Sequence, residues 1–178
     1  MQLSIGQKVA YPNQGVCLVE EIKKRYFGEN ALSGYSLRVL GDNSVIFVPM
    51  DNAESVGIRP LISRAECRRL VDDLSGDFET ADHDWKVRSK EFAEKLHSGD
   101  VFEAADVLKK LTYLSFQKKL SFREQTMLEK AKYLVVSEIT NADTRQYGWL
   151  EGEICKLVET ACLKHRKLEI KSFSVAVH

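Results

Sequence analysis

Residues 59–66 read Arg59-Pro60-Leu61-Ile62-Ser63-Arg64-Ala65-Glu66, and the spacing of apolar side chains changes as the chain crosses them. Ser63 followed three positions later by Glu66 fits a capping box. In that motif the serine hydroxyl accepts an orphan amide of the first helical turn, and the glutamate accepts the amide of the cap itself. Apolar residues recur at the spacing of strands upstream of this joint and at the spacing of helices downstream. The expected class is therefore α+β: a small β-barrel over residues 1–60, then a bundle of about five α-helices over residues 63–167, with residues 168–178 as a tail.

Upstream of the joint, residues 8–11, 16–22, 35–40 and 44–48 are rich in Val, Ile, Leu and Tyr, the composition of short strands. Pro12-Asn13-Gln14-Gly15, Gly28-Glu29-Asn30 and Gly41-Asp42-Asn43 separate them, and the last of these is a good hairpin signal. Four or five short strands avoid exposed edges by curling into a small barrel or by lending an edge to a partner. Pro49 should close the fourth strand, because it has no amide to give to a ladder.

Downstream, Ser121-Phe122-Arg123-Glu124 repeats the capping box, and Asp100-Val101-Phe102-Glu103 is an aspartate-led variant. Asp82 or Asp84 should cap a helix that runs to about Leu96 and ends at Ser98-Gly99, and a last helix is expected over residues 143–166.

Hydrophobic residues make up 44% of the 178-residue chain, enough for one good core or two small ones. No run of about 18 apolar residues occurs and the N-terminus lacks the build of a signal peptide, so a cytoplasmic protein with no membrane contact is expected. The 26 basic and 26 acidic residues cancel, which argues against tight, unaided binding to nucleic acid. Residues 81–135 hold eleven basic and nine acidic side chains, an excess of only two. Cys17, Cys67, Cys155 and Cys162 form no Cys-x-x-Cys pair and are expected to be reduced thiols. Cys155, Cys162 and His165 lack a fourth ligand at metal-site spacing, so no metal is expected. A Gly-rich phosphate loop, a nucleophile elbow and a His-Glu-x-x-His motif are all missing, which points away from an enzyme and from any cofactor.

The chemistry that stands out is Trp85, which follows Asp82 and Asp84 and precedes Lys86, Arg88 and Lys90. A flat ring among cations suits a protein that grips phosphates and presses an apolar wedge against a base step. Trp85 also falls on the helical stripe of Phe92 and Leu96, so periodicity alone would bury it. Arg123, Lys130 and Lys132, with Lys118 and Lys119 upstream, form a second basic set, although Glu124 and Glu129 offer them acidic partners. Arg25 is expected at a turn and Phe47 on an edge-like strand, where an exposed aromatic suits strand addition by another protein or simply joins the core.

Several ordered motifs resemble the CarD/CdnL family of bacterial regulators that bind RNA polymerase, over about residues 3–140. In the first part these are Gly6, Tyr11-Pro12-Asn13-Gln14-Gly15-Val16, Val48-Pro49-Met50-Asp51-Asn52-Ala53 and Val56-Gly57-Ile58-Arg59. In the second they are Trp85-Lys86-Val87-Arg88-Ser89-Lys90, Glu94-Lys95-Leu96-His97-Ser98-Gly99-Asp100-Val101, and Leu120-Ser121 with Glu124 and Met127-Leu128.

The resemblance implies a Tudor-like or SH3-like barrel that docks on the polymerase β subunit, and a helical domain that touches promoter DNA. It implies that Trp85 is exposed and wedges into the minor groove at the upstream edge of the melted region, which helps to keep the open complex from collapsing. It further implies that Arg25, Phe47 and Pro49 contact polymerase and that Arg88 and Lys90 contact DNA, in a protein that works as a monomer. Val87 and Ser89 stand where many relatives carry arginine and an aromatic, so part of the usual basic patch is lost and DNA contact should be weaker here. The alternative is a polymerase-binding adaptor without productive DNA contact.

Overall fold

The computed structural model describes residues 2–27, 30–142 and 151–175. Its first part is a five-stranded antiparallel sheet: β1 (Lys8–Tyr11), β2 (Gly15–Phe27), β3 (Asn30–Val39), β4 (Val45–Pro49) and β5 (Arg59–Pro60), in the order β4-β3-β2-β1-β5. A short 3-10 turn (Met50–Asn52) follows β4. Val9, Cys17, Val19, Tyr35, Leu37, Val39 and Val48 fill the core with Leu3 and Ile58. The Leu3 amide donates to the Tyr35 hydroxyl at 3.1 Å, which gives that buried phenol a partner.

The sheet differs from the expected barrel in that no ladder joins β4 to β5, so it stays open. The edges are nonetheless poor templates for further pairing, because β5 has two residues and each edge strand ends in a proline. β2 and β3 are also longer than expected and pair from Cys17↔Val39 out to Phe27↔Asn30, with a register shift between Val19 and Glu21. Arg25, expected at a turn, therefore sits within β2.

The second part holds α1 (Arg64–Ser75), α2 (Trp85–His97), α3 (Val101–Gln117), α4 (Phe122–Asn141) and α5 (Glu151–Val175). Both Ser-led capping boxes form, at Ser63/Glu66 and Ser121/Glu124. The Asp100 box forms only by half: its carboxylate accepts from the Phe102 amide, but the Asp100 amide donates to Ser98 Oγ at 3.1 Å instead of to Glu103. Asp84, the closer of the two candidates, caps α2 through the Lys86 amide, while Asp82 accepts from the Asp84 amide. Gly99 takes a φ of +82°, the left-handed conformation that ends the segment after α2.

The hydrophobic α3 packs against each of the other four helices. Leu70, Leu74, Phe92, Val135, Ile139 and Ile154 join its own Val107 and Leu111 in one core cluster, each at most 1% exposed, and each such burial contributes about 1.5–3 kcal/mol. The Lys109 ammonium donates to the Asp73, Gly76 and Asp77 carbonyls, closing the end of α1. The final helix continues past Arg166 to Val175, so most of the expected tail is helix. Residues 143–150, the expected start of that helix, and residues 176–178 lie outside the described residues.

Sheet and bundle are tied together directly. Arg59 donates to both Glu138 oxygens at 2.5 and 2.8 Å and to the Gly99 carbonyl. Tyr133 donates to the Gln14 carbonyl, the Val16 amide donates to Ser137 Oγ, and Lys8 reaches Asn141. A methyl group on Gly15 or Gly41 would strike the Tyr133 ring, so the glycines permit this close approach.

Candidate nucleic-acid interface

Trp85 is the first residue of α2 and is 60% exposed, although Phe92 and Leu96 on its stripe are buried. The ring lies in the first turn, where no preceding helix covers it. The Lys86 ammonium stands 6.0 Å from the indole centroid, a cation–π arrangement worth about 0.5–1 kcal/mol at an exposed site. Val87 is also exposed.

Arg88 is placed differently from the expectation that it reaches phosphate. Only 4% of it is exposed. One guanidinium nitrogen donates to Glu124 Oε1 at 2.8 Å, and the other donates to the Asp82 and His83 carbonyls at 2.6 and 3.3 Å. Those carbonyls belong to the segment that leads into Trp85, so Arg88 fixes the ring's platform and its charge is spent inside the fold. Glu124, expected as a partner for the second basic set, pairs with Lys118 of that set at 3.6 Å and more closely with Arg88, whereas Arg123 is its immediate neighbour and points away around the helix. Burial pushes the Glu124 carboxyl up, but the Ser121 amide, Arg88, the Ser121 hydroxyl and Lys118 together hold it down to about 2.

The remaining cations divide into two groups. Lys90 is exposed and loosely paired with Glu94 at 3.9 Å. Arg123 is exposed and lines a cleft with Trp85, Lys118 and Met127. Lys130 and Lys132 do not join them. Lys130 is half-buried against the Tyr133 ring at 5.6 Å, and burial lowers its pKa against the opposing pull of Asp42. Lys132 pairs with Glu151 at 2.8 Å. From Arg123 to these residues the helix rises about 10 Å or more, which carries them away from Trp85 and towards the sheet and α5.

The sequence also gives no weight to Phe122, which is 86% exposed at the first position of α4. The signal was available, since Phe122 follows its cap as directly as Trp85 follows Asp84. Both aromatics occupy the turn where a helix covers its own side chains least, and Arg88–Glu124 bolts the two helix starts together.

On the sheet, Arg25, Phe47 and Pro49 share one face. The Arg25 guanidinium lies 4.6 Å from the Phe47 centroid. Phe47 pairs with Ser36 and Pro49 with Gly34, on the edge strand β4. A side chain at Gly34 would collide with the Phe47 ring, so that glycine lets the aromatic lie over β3.

Cys162 is buried, its Sγ lies 3.6 Å from the Lys109 carbonyl, and burial pushes its pKa up to about 11. His165 stacks on Phe78 and meets Asp77. No helix among the described residues is long and apolar enough to cross a membrane.

Residues 3–62 match the domain described as "CarD-like/TRCF RID domain", and residues 69–148 match "CarD, C-terminal domain". The chain belongs to the CarD-like family. The two matches follow one another in the order of the sheet and the helical bundle, and they place this CarD-like protein among transcription regulators. It is 26% identical over 135 residues to the "Putative transcription factor YdeB" of Bacillus subtilis, across 76% of this chain and 88% of that one. It is also similar to the N-terminal domain of Myxococcus xanthus CarD solved by NMR. There the identity is 36%, over 33% of this chain and 79% of that one, with a TM-score of 0.29.

Proposed function

We propose that this CarD-like protein anchors to the RNA polymerase β subunit through Arg25, Phe47 and Pro49, and presents Trp85 to the minor groove of promoter DNA at the upstream edge of the melted region. It acts as a cytoplasmic monomer, brought to the nucleoid by polymerase, and needs no catalytic group. The observation that carries the proposal is the exposure of Trp85 on a stripe that is otherwise buried.

Burying the exposed part of such a ring removes about 100 Å² of apolar surface from water and contributes about 2.5 kcal/mol. That is comparable with the few kcal/mol needed to unstack one base step. In the open complex the step is already unstacked, so the ring favours the open state, and each 1.4 kcal/mol of difference shifts that equilibrium about tenfold. Lys86, Lys90 and Arg123 supply phosphate contacts beside the ring, and minor-groove binding of this kind reads no specific sequence.

An adaptor that holds polymerase without productive DNA contact is favoured by one observation. Of the six cations expected at the DNA face, Arg88, Lys130 and Lys132 are turned to other work. Three phosphate contacts give a salt slope of about −2.7 where six would give about −5.4. The half-life of a promoter open complex, challenged with a competitor, separates the two: a wedge makes Trp85→Ala lose the extension that the wild type gives, and an adaptor leaves it unchanged.

A further inference from the structure

Trp85, Ser89 and Phe92 stand one and two turns apart on α2, and with Met127 and Arg123 of α4 they enclose a cleft of about 470 Å³. That volume falls within the usual range for small-molecule sites, about 300–1,000 Å³. We propose that this cleft receives one nucleotide extruded from the DNA, with its base stacked on the inner face of Trp85. The inference rests on the proposed DNA-facing role of Trp85 and extends it from wedge to base-binding site.

Each wall contributes a different part of that chemistry. Phe92 is fully buried and Met127 half-buried, which makes the floor apolar. The indole stands at the entrance as a stacking surface. Ser89 lines the cleft, and its hydroxyl, shielded from water, has no hydrogen-bond partner among the described residues. An unmet buried hydroxyl carries a penalty, and a rotation of the serine side chain towards the cleft would bring it to a ligand with a polar edge. Lys118 and Arg123 are exposed around the same cleft, where a phosphate joined to an inserted base would lie.

Glu124, the acid of the lining, is neutralised by Arg88 and by its capping bonds, so it offers a phosphate little repulsion. An apolar floor, a stacking ring, one unmet polar atom and flanking cations together fit a heterocycle tethered to phosphates better than an aliphatic side chain. A base at the edge of a melted region is the cheapest to extrude, since its stacking is already lost on one side. The serine hydroxyl both donates and accepts, so the site tolerates any base.

The test uses the full chain with RNA polymerase holoenzyme and a promoter carrying 2-aminopurine at the upstream edge of the melted region. Wild-type protein is expected to quench that fluorophore by stacking. Ser89→Phe fills the cleft and leaves Trp85 in place, and is expected to relieve the quenching and to shorten the open-complex half-life about fivefold or more. On the DNA side, an abasic residue at the same position should shorten the half-life given by wild-type protein about as much as Ser89→Phe does on intact DNA, a result that does not depend on how the variant folds.

If Ser89→Phe behaves as wild type in both readouts while Trp85→Ala loses the effect, the cleft is refuted and the wedge stands. If Trp85→Ala also behaves as wild type, the underlying proposal fails with it. A shortened half-life with no response to 2-aminopurine or to the abasic site overturns the nucleotide in favour of a polymerase side chain in the cleft.

Discussion

Replacing Arg88 by Met keeps most of the side-chain stem and deletes the guanidinium that joins the starts of α2 and α4. Three contacts go with it: the 2.8 Å bond to Glu124 and those to the Asp82 and His83 carbonyls. Removing one member of a buried ion pair costs about 3–5 kcal/mol, because the other charge is left stranded. Here Glu124 keeps the Ser121 amide at 2.9 Å, the Ser121 hydroxyl and Lys118 at 3.6 Å, and its side chain is 13% exposed. The expected loss is therefore about 2–3 kcal/mol. At about 2–4 °C per kcal/mol for a chain of this size, Tm falls by about 4–12 °C in a calorimetric scan at pH 7.

Glu124→Gln keeps an acceptor for the capping box and removes the charge. The double variant Arg88→Met/Glu124→Gln should recover part of the loss, with a coupling of about 1–2 kcal/mol in the double-mutant cycle. An unchanged Tm for Arg88→Met, accompanied by a salt slope of DNA binding flatter by about one, refutes this account. Arg88 would then be a phosphate ligand.

The same carboxylate sets a pH dependence. Its folded pKa of about 2 lies below the ordinary 4.5, so its stabilisation is complete above about pH 4.5 and is lost as pH falls towards 2. The stability gap between wild type and Arg88→Met, measured by urea unfolding, should narrow over that window and stay constant from pH 5 to 7. At the junction of sheet and bundle, Arg59→Met strands Glu138, which is 6% exposed at its side chain. An expected loss of about 3 kcal/mol is checked by the same unfolding curves. Arg25→Ala and Phe47→Ala should each weaken capture of the polymerase β subunit by about 1 kcal/mol or more while circular dichroism stays unchanged, and full binding by both would remove that surface from the account.

The elements were legible where local chemistry decides them. Ser63, Asp84, Asp100 and Ser121 each mark a helix start because a cap bond is made within three residues. Pro49 marks a strand end for an equally local reason. Closure of the sheet and the reach of β2 to Phe27 depend on pairing between distant residues, which periodicity does not encode. At the candidate site, the 3.6-residue period reports which face Trp85 occupies but not whether anything lies opposite that face. Arg88 misled for the converse reason: its place among surface cations is a matter of sequence, whereas its burial is set by Glu124, 36 positions away. Phe122 was readable by analogy with Trp85, since each follows its cap directly.

The half-life of the open complex formed by polymerase and the Trp85→Ala variant tests the central claim most directly. The ring is 60% exposed, so its removal should cost about 1–2 kcal/mol of folding stability, which leaves the bundle folded, and the measurement reports on the DNA contact. A half-life reduced to that of polymerase by itself, with the variant still bound, is the predicted outcome. A half-life equal to that with wild-type protein would contradict the account.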